Sequence, residues 1–480
     1  MAQGDNAVKQ PITLRGLWWP PQAPDDRVAG ELRYTPTAGI HLDLFGPSEW
    51  LRQPEHGTLH GMLSNGDAIS LFRCLRTQVS SHPPTGFNTA TLYCHLAVQG
   101  KLLDQQDDLA VTNVVLELST LDEWLNINGF NVDLSQYPQT IVNYRLPDPI
   151  EVELDDNLRL KIAFGVSGPQ LSYVMTGASI QQSSAFVFVS TTQRTLSSMF
   201  DLVYQLEGFL SFAVGTPVYV WEMRAKYINE DDDSPDKSVS VLYHHIGQPE
   251  LVETRQPLSM LFTYNDIKGS WEHVIQTWFS RYATLKQVYQ LYMSMNYRPF
   301  TFVEEEFLGW ARTVEAYHRL AMNNNDMDPA EFERRRTLVI ESLPESEKKV
   351  REWIKGRTMH MNEPNLERRI REILTRFNEL HRYSDKQRGL AAKRLSDTRN
   401  DLTHPQNRSG RIPPGGAELH VLSEQLRFLV ELCLLSEIGL DNARITELIG
   451  RQRQRRSSAN WPWTPVEEAT PRRRRARAAS

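Results

Sequence analysis

TRNDLTHP, residues 398–405, sets an arginine beside an asparagine and places a histidine five residues after the arginine. Arg399 is a permanent cation, and His404 belongs to the one residue type that gives or takes a proton near neutral pH. Asn400 adds a neutral donor and acceptor. Such a set can work on a phosphodiester without a metal. Its surroundings decide the fold. Upstream, Ala391, Leu395, Thr398 and Leu402 recur at helical spacing, so residues 385–404 read as a helix ending at the motif. Downstream, a glycine- and proline-rich loop over 409–416 precedes a long, very apolar helix over 417–438 that stops at Gly439.

Working outward, the helical pattern extends from about residue 300 to 450. Phe307, Trp310, Val314, Tyr317 and Ala321 form one apolar stripe. Asp328-Pro329-Ala330-Glu331 opens a second helix with a cap, a first-position proline and an early acid. A third, shorter helix covers 350–361, Leu366, Ile370, Ile373, Phe377 and Leu380 mark a fourth, and 442–449 a last one. Helices of this length with short connections predict a compact bundle.

The first 295 residues read differently. Leu14 to Trp19 is an apolar and aromatic run, and Ile40, Leu42 and Leu44 alternate with His41, Asp43 and Phe45 as on a half-buried strand. Residues 68–79 and 89–98 are strand-like and flank His82-Pro83-Pro84-Thr85-Gly86. Ile150, Val152 and Leu154 alternate, Asp155-Asp156-Asn157 turns the chain, and Leu158, Leu160, Ile162 and Phe164 alternate back, which predicts a hairpin. Residues 185–189 and 218–223 read as two short strands. Two helices interrupt the pattern: one after Thr120-Leu121-Asp122-Glu123, which has capping-box spacing, and one over 196–212. The expected class is therefore α+β and multidomain: a β-rich domain over 1–295, an all-α bundle over 300–450, and an Arg-rich disordered tail over 451–480.

A length of 480 residues accommodates about two to three domains. No run of eighteen uncharged apolar residues suggests a membrane span, and the richest stretch, 426–440, is interrupted by Arg427, Glu431 and Glu437. The N-terminus lacks the apolar core of a signal peptide. Cys74, Cys94 and Cys433 are scattered, with neither zinc nor disulfide spacing, which fits a reducing cytoplasm. The formal net charge of −6 hides an asymmetry, because the last thirty residues carry nine arginines against Glu467 and Glu468. That tail is a solvated end or an RNA contact. The acidic segment 230–237 lacks the spacing and glycine of an EF-hand.

A helical bundle with Arg-Asn-x-x-x-His before a loop and a long apolar helix resembles the HEPN superfamily. Gly16-Leu17-Trp18-Trp19-Pro20, Gly30-Glu31-Leu32 and residues 40–46 (IHLDLFG) are similar to the opening of the ApeA N-terminal domain. His60-Gly61, Asn65-Gly66-Asp67, Ile69-Ser70-Leu71 and Leu121-Asp122-Glu123-Trp124-Leu125 continue the likeness. Val314-Glu315-Ala316-Tyr317-His318-Arg319 resembles part of the first helix of an ApeA-like HEPN domain. The resemblance covers nearly the whole chain except the tail. It implies an anti-phage protein of abortive defence that cleaves RNA without a metal; host or phage RNA is the expected substrate, with tRNA one candidate, and no cofactor is expected. It also favours a homodimer or higher homo-oligomer; in the expected division of labour the N-terminal domain senses a phage-derived trigger or regulates the bundle. The alternative within the same superfamily is a bundle that binds nucleotides, RNA or protein and cuts nothing.

RNA carries its own nucleophile, the 2′-hydroxyl beside the scissile phosphate. Cleavage needs a proton taken from that hydroxyl, charge stabilised on the phosphoryl oxygens, and a proton given to the 5′-oxygen. An imidazole suits the first or last task and a guanidinium the middle one, which casts His404 and Arg399; Asn400 would orient either partner. Five residues of ideal helix rotate the chain by about 140° and raise it about 7.5 Å, so Arg399 and His404 do not share a face. Pro405 biases His404 away from helical geometry, and a two-fold dimer would set the Arg399 of one chain beside the other chain's His404. The spacing alone also fits a plain helix end in which Arg399 pairs with an acid such as Asp397. Glu315 is a candidate to orient Arg399, His318 reads as a core histidine, His244 and His245 as surface or turn residues, and Trp18-Trp19 as core, an interface or an RNA-stacking pair.

Overall fold

The computed structural model describes residues 11–35, 38–82, 86–135, 137–171, 177–228, 236–244, 255–297, 301–404 and 414–451. The Arg-rich tail, Pro405, His245 and most of the acidic segment and of the 409–416 loop lie outside the described residues. The chain divides into two compact units, Met1–Phe279 and Ser280–Ser480. The expected α+β class holds: strands dominate the first and helices make up the second.

In the first unit β1 (Ile12–Trp19), β2 (Val28–Thr35), β3 (Gly39–Gly46), β4 (Glu55–Leu63), β5 (Ala68–His82) and β6 (Phe87–Gln99) form a closed ring. Their hydrogen-bonded order is β6-β3-β2-β1-β4-β5, and β5 pairs back with β6. Closure removes the free edges. Alternation fills the ring: Ile40, Leu42 and Leu44 of β3 are buried, as are Leu32, Leu59, Leu71 and Leu92. Trp18 is fully buried there, and its indole occupies the space beside Gly61, where an added Cβ would meet the ring at 2.5 Å. Trp18 and Trp19 are thus both core residues.

The same sheet continues from β6. β7 (Ala110–Leu118), α1 (Leu121–Leu125), a β8–β9 ribbon (Phe130–Asp133 and Ile141–Tyr144), β10 (Ile150–Asp155), β11 (Leu158–Leu171) and β12 (Ala178–Thr195) follow in the chain. Then come α2 (Leu196–Val214), β13 (Val220–Ile228), β14 (Asp236–Tyr243), α3 (Tyr264–Ile267) and α4 (Trp271–Asn296). β14 pairs with the end of β6, and β13, β7, β12, β11 and β10 follow, giving a twelve-stranded sheet. The hairpin predicted at 155–157 is the β10–β11 turn. α2 is apolar nearly all round and correspondingly buried, with Phe209 and Phe212 against Trp278.

Several elements differ from the sequence expectation. Residues 271–296, within the stretch read as β-rich, form a 26-residue helix. β12 is 18 residues long where only 185–189 read as strand. The helix after Thr120 forms without the capping box: Thr120 sits at φ 64°, ψ 6°, and its side chain makes no capping bond. His244 is half-buried, and its Nδ1 is hydrogen-bonded to the Tyr93 hydroxyl at 2.7 Å.

The second unit contains α5 (Val303–Ala321), α6 (Pro329–Glu341), α7 (Lys348–Thr358), α8 (Leu366–Arg376), α9 (Asn378–His381), α10 (Asp385–Thr403), α11 (Gly416–Glu437) and α12 (Asn442–Arg451). α5 packs on α11 and α8, and α8 packs on α10. The helix expected to run through Leu380 breaks at Phe377 (φ −100°, ψ 25°) into α8 and α9. Asp328 caps α6 as predicted, accepting from the Ala330 and Glu331 amides. Among the described residues no helix is long and apolar enough to cross a membrane.

Candidate functional site

α10 begins with a capping box in which Ser384 accepts from the Gln387 amide while Gln387 accepts from the Ser384 amide. Ala392, Leu395, Ser396 and Thr398 are buried, a face one position removed in part from the expected one; Ala391 and Leu402 are half-buried. The Thr398 hydroxyl donates to the Arg394 carbonyl at 2.8 Å, so this buried polar group is satisfied. These contacts fix the rotation of α10 and leave Arg399 and Asn400 half-buried beside the core.

The Arg399 guanidinium has two partners. Nη1 donates to Asn400 Oδ1 at 3.2 Å, and Nη2 lies 3.5 Å from Glu315 Oε1. Glu315 is carried by α5, whose buried stripe of Phe307, Trp310, Val314 and Tyr317 sets its angle toward α10. The acid beside Arg399 is thus Glu315, from a distant part of the chain, rather than the nearby Asp397.

His404 leaves the helix. Its amide still donates to the Asn400 carbonyl at 2.9 Å, but its backbone is at φ −130°, ψ 69° and its side chain is exposed. The Thr403 hydroxyl closes the last turn on the Arg399 carbonyl at 2.9 Å. Among the described residues no hydrogen bond or ion pair joins Arg399 to His404 within one chain. Each chain therefore presents an anchored guanidinium and, a turn further on, a solvent-facing imidazole.

Two buried polar networks stand behind this end of the bundle. His318 is fully buried; its Nε2 lies 2.7 Å from Glu372 and its Nδ1 3.1 Å from Arg369 Nη1. Burial pushes the His318 pKa down, against the pull of the Glu372 hydrogen bond upward. His318 is a satisfied core histidine, as its place on the stripe suggested. The second network centres on Glu437, which meets Arg281 at 2.6 Å, the Tyr317 hydroxyl at 2.9 Å and Arg376 at 3.2 Å. Burial alone would raise the Glu437 pKa, but the Arg281 and Tyr317 hydrogen bonds and the two guanidinium charges hold it below the usual carboxylate range. The sequence carried a sign of this network: Glu431 and Glu437 interrupt an otherwise apolar helix, and each has an arginine partner, Glu431 with Arg427 at 3.2 Å. Among the described residues no three His, Cys, Asp or Glu side chains gather as a metal-binding group.

The bundle, in which α10 runs into Arg-Asn-x-x-x-His, is matched over residues 308–444 by the Apea-like HEPN family model. The model of ApeA N-terminal domain 1 matches residues 13–278, more than half of the chain, and the chain belongs to the ApeA family. No curated protein and no solved structure matches it.

Proposed function

We propose that this protein is a metal-independent endoribonuclease of anti-phage defence that cuts RNA, tRNA being one candidate, by attack of the substrate's 2′-hydroxyl. The observation that carries this reading is the end of α10: a guanidinium held by Glu315 and Asn400, followed by an exposed imidazole outside the helix. The guanidinium stabilises the phosphoryl oxygens as negative charge grows there. One imidazole removes the 2′-hydroxyl proton and a second protonates the 5′-oxygen. The bond formed is 2′-O–P and the bond broken is P–5′-O, leaving a 2′,3′-cyclic phosphate.

Because Arg399 and His404 do not meet within one chain, the complete site takes two copies of the chain, each supplying both residues to the shared phosphate. HEPN domains typically dimerise and bind RNA, which supports this arrangement. In the proposed division of labour, residues 1–295 sense a phage-derived trigger, 300–450 cut, and 451–480 form a basic tail; the protein acts in the cytoplasm.

The experiment is RNA cleavage in excess chelator by wild type, Arg399→Ala, His404→Ala, and wild type mixed with excess His404→Ala. The expected result is cleavage with cyclic-phosphate ends in wild type, loss of at least about a hundredfold in each variant, and inhibition of wild type by excess His404→Ala, because a mixed dimer keeps only one of the two imidazoles. Cleavage abolished by chelator, or unaffected by both substitutions, refutes the mechanism. A wild-type rate left unchanged by excess His404→Ala while dimers exchange refutes the shared site, and RNA binding without turnover in wild type favours the non-catalytic binding module.

A further inference from the structure

The hairpin of α6 and α7 leaves the bundle after α5 and returns to it at α8. Its base is pinned: the Asp326 amide donates to the Asn362 carbonyl at 2.7 Å, and the Met327 amide to Asn362 Oδ1 at 3.0 Å. Arg319 meets Glu363 at 3.1 Å beside it. Arg319 lies four residues beyond Glu315 on α5, about 6 Å along the helix. The hairpin thus springs from within about a turn of the acid that holds Arg399.

Beyond that base the hairpin holds no core of its own. Neither α6 nor α7 contains a fully buried residue. The two are tied by polar contacts, Arg336 donating to Thr358 Oγ1 at 3.0 Å and to the Lys355 carbonyl at 3.2 Å. The α7 positions turned inward are Arg351, Ile354 and Thr358, all half-buried. The opposite face carries Lys349, Trp353 and Arg357, spaced at i, i+4 and i+8 and all exposed. Trp353 is 62% exposed. The Arg357 guanidinium sits 6.0 Å from its ring centroid, and among the described residues neither Arg357 nor Lys349 has an acidic partner. Gly356, three residues beyond Trp353, is open: a Cβ there would meet nothing within 4 Å. α7 as a whole carries five cations, Lys348, Lys349, Arg351, Lys355 and Arg357, against the single acid Glu352.

We propose that the outward face of α7 binds a single-stranded stretch of RNA, one base stacking on Trp353 and the adjoining phosphates meeting Lys349 and Arg357. This rests on the reading of the protein as one that acts on RNA, and it adds the place where the strand is held. The choice of occupant follows from charge. Docking into an apolar protein groove would strip water from two unpaired cations, and charged residues are depleted from the cores of such interfaces for that reason. A polyanion neutralises them and displaces its own counterions. An exposed indole flanked by cations is the arrangement that accepts any base face-on.

The test measures binding of the full-length protein to a fluorescent 2′-O-methyl poly(U) strand by anisotropy across a salt series. That probe has no free 2′-hydroxyl, so binding is read whether or not the protein cuts RNA. Trp353→Ala is expected to weaken binding roughly tenfold or more, with Trp353→Phe retaining most of the affinity. Lys349→Ala with Arg357→Ala should flatten the dependence of log K on log salt by about 0.7 per cation removed. These surface changes leave the melting temperature in place. Binding and salt slope equal to wild type in all three variants overturn the proposal. So does an affinity loss that Trp353→Phe does not restore and that accompanies a change in sedimentation, which would make the face a contact between copies. Cleavage of unmodified RNA by the same preparations reads the nuclease proposal separately: cutting that persists in His404→Ala sinks that reading and leaves the α7 result standing.

Discussion

Replacing Glu315 by glutamine keeps the shape of the side chain and removes the charge beside Arg399. The pair is separated by 3.5 Å, with about a third of each side chain exposed (33% and 28%). Solvent screening at that exposure limits such a pair to at most about 1 kcal/mol. A factor of ten corresponds to about 1.4 kcal/mol, so losing the charge changes the occupancy of the anchored Arg399 geometry by up to about fivefold. The expected result is therefore a roughly two- to fivefold fall in the rate of RNA cleavage under single-turnover conditions, with folding stability changed by less than about 1 kcal/mol. Arg399→Ala removes the phosphate partner itself and should cost about 10²–10³-fold. If Glu315 acts only by placing Arg399, then adding Glu315→Gln to Arg399→Ala changes nothing further. Single-turnover cleavage of a labelled RNA by the four proteins, with melting curves as controls, supplies the cycle. A Glu315→Gln defect as large as that of Arg399→Ala, or independent effects that multiply in the double variant, would refute positioning as its role.

Glu437 is held by two guanidiniums, and Glu437→Ala, which leaves Arg281 and Arg376 facing an empty site, should lower unfolding free energy by about 3–5 kcal/mol in a denaturant titration. Its folded pKa lies below the ordinary value, so its contribution is fully present above the unfolded pKa and disappears as pH falls through the folded one; melting temperature followed downward from neutral pH should drop more steeply in wild type than in Glu437→Gln across the acidic range. Gly61→Ala drives a methyl group into the Trp18 indole, with 2.5 Å between the atoms before relaxation, and should destabilise the first unit by about 1–3 kcal/mol in the same titration. Thr120→Gly relieves a β-branched residue at φ 64° and should stabilise by about 1 kcal/mol; a loss of stability there would mean that the Thr120 side chain makes a contact worth more than its strain.

The bundle was readable because its helices bury one face at constant spacing, as Phe307, Trp310, Val314 and Tyr317 do on α5. β7 was not, because its phase slips. Val111 is buried, but the next buried positions are Val114, Leu116 and Leu118, and the pairing register of β7 shifts beside both neighbouring strands. A strict two-residue period cannot follow a strand through such a bulge. α4 was hidden by composition: Trp271, Trp278, Tyr282, Tyr289 and Tyr292 favour strands as isolated residues, and only their packing selects the helix. The break at Phe377 left no trace in the apolar pattern. Phe377 stays buried, while His381 donates to the Leu374 carbonyl and accepts from the Tyr383 amide, which holds α8 and α9 together across the bend. At the motif, the departure of His404 from the helix accords with the proline that follows it. The partner of Arg399 could not be chosen from spacing, because Glu315 lies 84 positions earlier and is brought near by packing of two helices.

The ring of six strands is built entirely from residues 12–99, whereas the rest of the sheet is anchored to β6 by a strand that ends at Tyr243. A growing chain of roughly a hundred residues therefore already holds every strand of the ring, and domains generally fold as units in the order of synthesis. The twelve-stranded sheet must wait for β14, and α10 is made later still. The order of elements along the chain thus puts the closed ring first and the Arg399–His404 end of the bundle last, so a nascent or truncated chain carries the β-rich part long before it carries the residues proposed to cut.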